Sequence, residues 1–154
     1  MESNINKSLT PTNTGSTGSP RIQAQAKGFQ AVRKAHQSEI VEDYVELISD
    51  LIEKCGEARP VDIASHMGVT QPTVVKNLAR LQRDGFITRE KYRSIFLTKT
   101  GAELADICRH RHRIIVTFLL HLGLDAETAE HDAEGLEHHV SDKTLAAFEA
   151  ALEK

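Results

Sequence analysis

The sequence predicts a mainly α protein, a winged helix-turn-helix followed by a second, helical domain. Three observations carry that prediction. Residues 60–78 set two short helical patterns on either side of Gly68, with basic residues on the second. Residues 86–97 then read as two short strands around a basic turn, the pattern of a wing. Farther on, Glu134, Glu137 and His138 stand at i, i+3 and i+4, which on a helix is one face.

Length and composition bound the reading. A chain of 154 residues is one domain, or two small ones sharing a core. With 40% hydrophobic and 27% charged residues it has the composition of an ordinary globular protein. The net charge of −3 gives no overall basicity, but the distribution is uneven. Lys76, Arg80, Arg83, Arg89, Lys91 and Arg93 face only Asp84 and Glu90, whereas acids dominate from Asp125 onward. A basic middle beside an acidic end implies two tasks. Cys55 and Cys108 are isolated, which reads as a reduced, cytoplasmic interior with two small buried hydrophobes. No apolar run approaches the ~20 residues of a membrane span, and there is no apolar signal core.

Residues 1–22 are expected to be a disordered tail. Up to Pro20 they are mostly Ser, Thr, Asn, Gly and Pro, with almost nothing to bury against the entropy of ordering. The DNA-binding unit is expected over residues 23–98. Its first helix carries Ile40, Val41, Tyr44, Leu47, Ile48, Leu51 and Ile52 at three- and four-residue steps, and Gly56 ends it. Glu39, Asp43, Glu46 and Asp50 form an acidic ridge on that helix. Glu39 and Asp50 read as solvent-facing charge, while Asp43 and Glu46 are the plausible second half of a metal site.

A helix over about 61–67 then meets a turn at Gly68, and a second begins with Thr70 as cap and Pro72 in its first turn. Ala64 is small where the two helices cross. In a helix-turn-helix the second helix enters the major groove, so Gln71 and Thr73 reach base edges while Lys76 and Arg80 serve phosphates. A plain helical hairpin is the rival reading, and the basic cluster on the second helix disfavours it. In the wing, Lys91 and Arg93 suit the DNA backbone.

A helical domain is expected over residues 99–154. Thr98 caps a long helix whose apolar face is Leu104, Ile107, Cys108, Ile114, Ile115, Phe118, Leu119 and Leu122. His112 borders this face and His110 lies farther round, a weak preference that a hydrogen-bonded core-edge histidine would satisfy equally. Gly123 breaks the helix, Asp125 caps the next, and that one ends at Glu134-Gly135-Leu136-Glu137-His138-His139. Taken alone, this last stretch reads as either a metal-binding face or a solvated acidic one. Ser141 starts a final helix with Leu145, Phe148 and Leu152.

Asp43-Tyr44-x-Glu46, the winged helix-turn-helix, Arg111-His112 before Phe118-Leu119, and Glu134-Gly135-Leu136-Glu137-His138-His139 occur in that order. In this the chain resembles the manganese transport regulators, within the diphtheria-toxin-repressor family of metal-dependent repressors. The likeness covers about residues 38–148. It implies a homodimer whose helical domain binds metal and dimerises, with a pair of Mn(II) ions per subunit. Carried over by position, the ligands are Asp43, Glu46, His112, Glu134, Glu137 and His138. The iron-responsive branch has Met and Cys where this chain has Asp43 and Glu134, and hard oxygen donors suit Mn(II). The SH3-like third domain of some relatives is not expected here.

The implied function is Mn(II)-dependent repression of manganese uptake genes through double-stranded operator DNA, with no membrane and no small organic ligand. An iron- or zinc-responsive repressor of the same fold is one rival, and a metal-independent winged-helix regulator is another. Catalysis is disfavoured, since the chain has no Glu-x-x-His, H-E-x-x-H, P-loop, G-x-S-x-G or reactive-Cys pattern.

Overall fold

The computed structural model describes residues 20–89 and 94–153. Residues 1–19 of the expected tail, and Lys91 and Arg93 of the expected wing, lie outside the described residues. The chain divides into two compact units, Met1–Val32 and Arg33–Lys154. In the first, the described residues are helical and Ile22, Phe29 and Val32 are exposed.

The second unit is built around the C-terminal half of α1 (Pro20–Cys55). Its apolar stripe buries Val41, Tyr44, Val45, Ile48 and Leu51, whereas Ile40 stays 37% exposed. Gly56, at φ 80°, takes the left-handed turn that stops the helix, a conformation that costs glycine little. Cys55, expected to be buried, is exposed in the last residue of the helix, where the chain turns away at Gly56. Cys108 is buried as expected.

Next come α2 (Pro60–Met67) and α3 (Gln71–Arg83), joined through Gly68 at φ 64°. Ala64 is buried where they cross, and Ile63, Val74, Leu78 and Leu81 close one core with Tyr44, Val45, Ile48 and Leu51. Thr70 occupies the cap position of α3 without bonding a backbone amide. Its hydroxyl lies 3.0 Å from that of Thr73 instead, so the expected side-chain cap is absent. The strands β1 (Ile87–Arg89) and β2 (Ile95–Leu97) pair antiparallel, Ile87 opposite Leu97 and Arg89 opposite Ile95. Ile95 donates to the Ala58 carbonyl at 3.1 Å, tying the hairpin to the turn after α1.

The helical half is α4 (Lys99–His121), α5 (Ala126–Leu136) and α6 (Asp142–Leu152). Thr98, Asp125 and Ser141 each cap the following helix, accepting from the amides of Gly101, Thr128 and Thr144. α4 packs along α5 and α6, with Phe118 stacked on Phe148 at 4.1 Å between centroids. On its apolar face Ile114 and Ile115 are buried, but Ile107 and Leu122 are more than half exposed. The stripe is wider than α5 and α6 cover.

Gly101, in the first turn of α4, joins the two halves closely. A Cβ there would stand 2.0 Å from the carbonyl oxygen of Phe86. Gly101→Ala must push α4 off the hairpin, and overpacking of this kind costs about 1–3 kcal/mol. Urea denaturation of the variant is expected to show that loss, with far-UV circular dichroism unchanged before the transition.

Candidate metal centre and nucleic-acid interface

Arg109 and Arg111 of α4 join α1 at Asp50 and Glu42, and His138 and Glu137 after α5 reach Asp43 and His112, which brings the predicted ligands together. Asp43 and Glu46 share the face of α1 opposite the core stripe. His112 comes from the middle of α4. α5 ends at Leu136, one residue before Glu137 and within the stretch where its end is expected. The Glu137 amide still bonds the Ala133 carbonyl at 3.0 Å, which keeps Glu134, Glu137 and His138 on one side. His139 is exposed and turns away toward the ring of His36.

Each histidine is held between carboxylates. The His138 side chain is only 5% exposed. Its Nδ1 lies 2.9 Å from Glu42 Oε2 and its Nε2 3.1 Å from Asp43 Oδ1, with Glu137 Oε1 at 3.6 Å. His112 Nδ1 stands 2.6 Å from Glu137 Oε2, and its Nε2 stands 2.9 Å from Glu130 Oε2. Glu137 itself is 3% exposed, a carboxylate buried at the centre of the group. Asp43 and Glu42 hold the His138 imidazolium, raising its pKa to about 10. Glu137, and then Glu130, push that of His112 up to about 9.

The remaining acids feel each other. Burial and the Glu137 charge raise the Glu46 carboxyl, with Glu134 adding to it. Glu134, although exposed on one side, is likewise raised by partial burial and by Glu137 and Asp43. Glu46 and His112 also line an open cavity of about 530 Å³ with Arg109 and Arg113. Burial, together with Glu42 and Glu46, lifts the Cys108 thiol to about 12, so it remains an uncharged packing group.

Three participants escaped the sequence reading. Glu42 bonds His138, Glu130 bonds His112, and Asp50 is not solvent-facing charge but receives Arg109 at 2.6 Å. Glu42 stands one turn before Glu46, and Glu130 one turn before Glu134, so i, i+4 spacing was the available signal. Among the described residues, no three His, Cys, Asp or Glu side chains are disposed to hold an ion as they stand. The imidazole nitrogens are spent on carboxylates.

On the other side of α1, Tyr44 OH accepts a hydrogen bond from Asn77 of α3 at 3.0 Å. Gln71, Thr73 and Lys76 are exposed along α3. Arg80 is half-buried, 3.6 Å from Asp84 and 3.4 Å from Gln37.

Two family models match this chain. The iron dependent repressor N-terminal DNA binding domain matches residues 36–95, and the iron dependent repressor metal binding and dimerisation domain matches residues 98–154. The transcriptional regulator MntR of Escherichia coli O6:H1 is 50% identical over 145 residues, 94% of each chain. The chain belongs to the MntR branch of the iron-dependent repressor family. MntR of Salmonella typhimurium is 52% identical over 139 residues, 90% of this chain and 88% of that one. Among solved structures, the manganese regulator SloR superposes with a TM-score of 0.65 at 32% identity, over 73% of this chain and 53% of that one. A manganese-dependent transcriptional repressor in complex with manganese gives a TM-score of 0.67 at 29% identity, over 73% and 52%. The chain thus spans about half the length of these solved relatives. Like the MntR proteins, it is a transcriptional regulator and not an enzyme.

The donor chemistry fits what this family name implies. Four carboxylates and two imidazoles converge, with no thiolate or thioether among them, a set suited to a hard or borderline divalent cation. Between these carboxylates the cationic role is filled by protons on the two histidines. Their folded-state pKa values lie above the ordinary ~6.5, so this stabilisation is complete below about pH 6.5. It is lost as pH rises through about 9 for His112 and about 10 for His138. Calorimetry of the metal-free protein in chelator is expected to show melting falling from about pH 7 to about pH 10. His138→Gln flattens the upper part of that fall.

Proposed function

We propose that this chain is a Mn(II)-dependent, sequence-specific repressor of manganese uptake genes, acting as a cytoplasmic homodimer on operator DNA. The observation that supports it best is the convergence of Asp43 and Glu46 from α1 with His112, Glu134, Glu137 and His138 from the helical half. In this reading those six are the ligands of a pair of Mn(II) ions per subunit, residues 23–98 are the DNA-binding domain and residues 99–154 hold metal and dimerise. Bound metal supplies fixed positive charge that offsets carboxylate repulsion in the seam. Asp43 and Glu46 then keep α1 against α4 and α5 without protons on His112 and His138.

α1 passes this constraint to the reading head. Tyr44 holds Asn77, and the core residues Ile48, Val74 and Leu78 lock α1 to α3, so fixing α1 fixes α3. A dimer with fixed α3 helices matches half-sites about one helical turn apart. Gln71 and Thr73 reach base edges, Lys76 and Arg80 reach phosphates, and Lys91 and Arg93 follow the backbone from the wing. Ile107 and Leu122, left exposed by the helical half, suit a subunit interface.

Fluorescence anisotropy with an operator fragment and buffered metals tests this reading. Mn(II) is expected to strengthen binding, Asp43→Met to weaken that response, and saturating operator to tighten Mn(II) binding by the same factor. Tight operator binding without any metal would leave the carboxylate seam purely structural and defeat the proposal. On the DNA side, Lys76→Ala is expected to weaken binding alike across sequences and to lower the salt slope by about 0.9. Gln71→Ala should instead relax base preference at one position.

A further inference from the structure

Glu42 stands outside the proposed ligand set, yet it is the most completely partnered carboxylate of the seam. Its side chain is 12% exposed. Ser38 Oγ donates to it at 3.1 Å, Arg111 Nη1 at 3.2 Å and His138 Nδ1 at 2.9 Å. The same Arg111 nitrogen donates to the Glu137 carbonyl at 3.1 Å. Arg111 is 17% exposed, so one sheltered guanidinium ties α1, α4 and the turn after α5. Burial pushes the Glu42 carboxyl up, but the bonds from His138 and Ser38 and the Arg111 charge outweigh it and keep it ionised.

The two edges of the His138 ring therefore differ. Nδ1 faces Glu42, while Nε2 faces Asp43 and Glu137, two of the proposed ligands. His112 has no comparable arrangement, because Glu130 at its Nε2 is 61% exposed and competes with water. A ligating histidine is usually fixed by a carboxylate on its other nitrogen, which sets both tautomer and ring orientation.

We propose that Glu42, braced by Arg111, is a positioning residue of the metal site, holding the Nδ1–H of His138 so that Nε2 is the nitrogen presented beside Asp43 and Glu137. This role rests on the proposed function, since it needs His138 to be a ligand. The competing role is a plain staple, in which the Glu42–Arg111 pair only joins α1 to α4.

Glu42→Gln in the full-length protein separates the two. Mn(II) affinity is measured by competition with a fluorescent chelator, and the His138 tautomer by 15N–1H correlation in the Cd(II)-loaded protein. The expected result is Mn(II) binding weaker by about 10–100-fold, with the single Nδ1–H tautomer of the wild type replaced by a mixture. Ser38→Ala removes a bond to Glu42 but none to the ring, and is expected to leave both readouts unchanged. Should the Gln variant not fold, Arg111→Lys frees the Glu42 carboxylate while keeping the charge, and the same two changes are expected. A folded variant that melts lower but keeps wild-type Mn(II) affinity and tautomer would make Glu42 a staple and overturn the role. Wild-type protein that takes up no Mn(II) would instead overturn the function itself, and this role with it.

Discussion

Like charge gathered in a half-buried seam is the constraint on which this structure depends. Asp43 and Glu46 on α1 face Glu134 from α5 and Glu137 just beyond its end, and the raised carboxyls of Glu46 and Glu134 record their repulsion. Such a seam closes only with cations inside it, because burial strengthens the repulsion that water would screen. Here the cations are the imidazolium rings of His112 and His138. Their partners keep them protonated well above neutral pH, so the arrangement holds over the range in which a cell works.

α1 is what makes that local balance matter elsewhere. One of its faces carries the seam acids, and another carries Tyr44, Val45, Ile48 and Leu51 into the core shared with α2 and α3. Packed interiors deform little, so a shift of α1 cannot be absorbed before it reaches α3. The Tyr44–Asn77 bond adds a directional contact to that packing. A change of charge in the seam is therefore felt along the helix that presents Gln71, Thr73 and Lys76.

Much of this was legible in the sequence, and the limits have physical causes. Helical period located the stripe of α1, and the hydroxyl and carboxylate caps at Thr98, Asp125 and Ser141 located the starts of α4, α5 and α6. Period also brought Glu134, Glu137 and His138 to one side, even though α5 ends at Leu136, because one further helical bond carries the register through Glu137. It could not rank charges on a face that looks uniformly polar. Glu42 and Asp50 differ from Glu39 only in what α4 sets against them, Arg111 and Arg109, and that pairing is a property of the packed helices. Thr70 failed as a cap because its hydroxyl found Thr73, a choice that spacing alone leaves open.

The placing of permanent and exchangeable cations explains where metal could act. Of the acids at 42, 43, 46 and 50 along α1, the outer two are paired with arginines of α4. Glu42 is paired with Arg111 and Asp50 with Arg109, guanidinium groups that never release their charge. Among the described residues, Asp43 and Glu46 have no such partner, and the positive charge nearest them is a proton on His138 or His112. The two arginines therefore hold the ends of the α1–α4 contact whatever occupies its middle. Between them lies a stretch whose charge balance depends on species that can leave. A divalent cation entering there would compete with protons rather than with arginine, and proton release would accompany its binding. That division lets the contact between the halves persist while its tightness responds to metal.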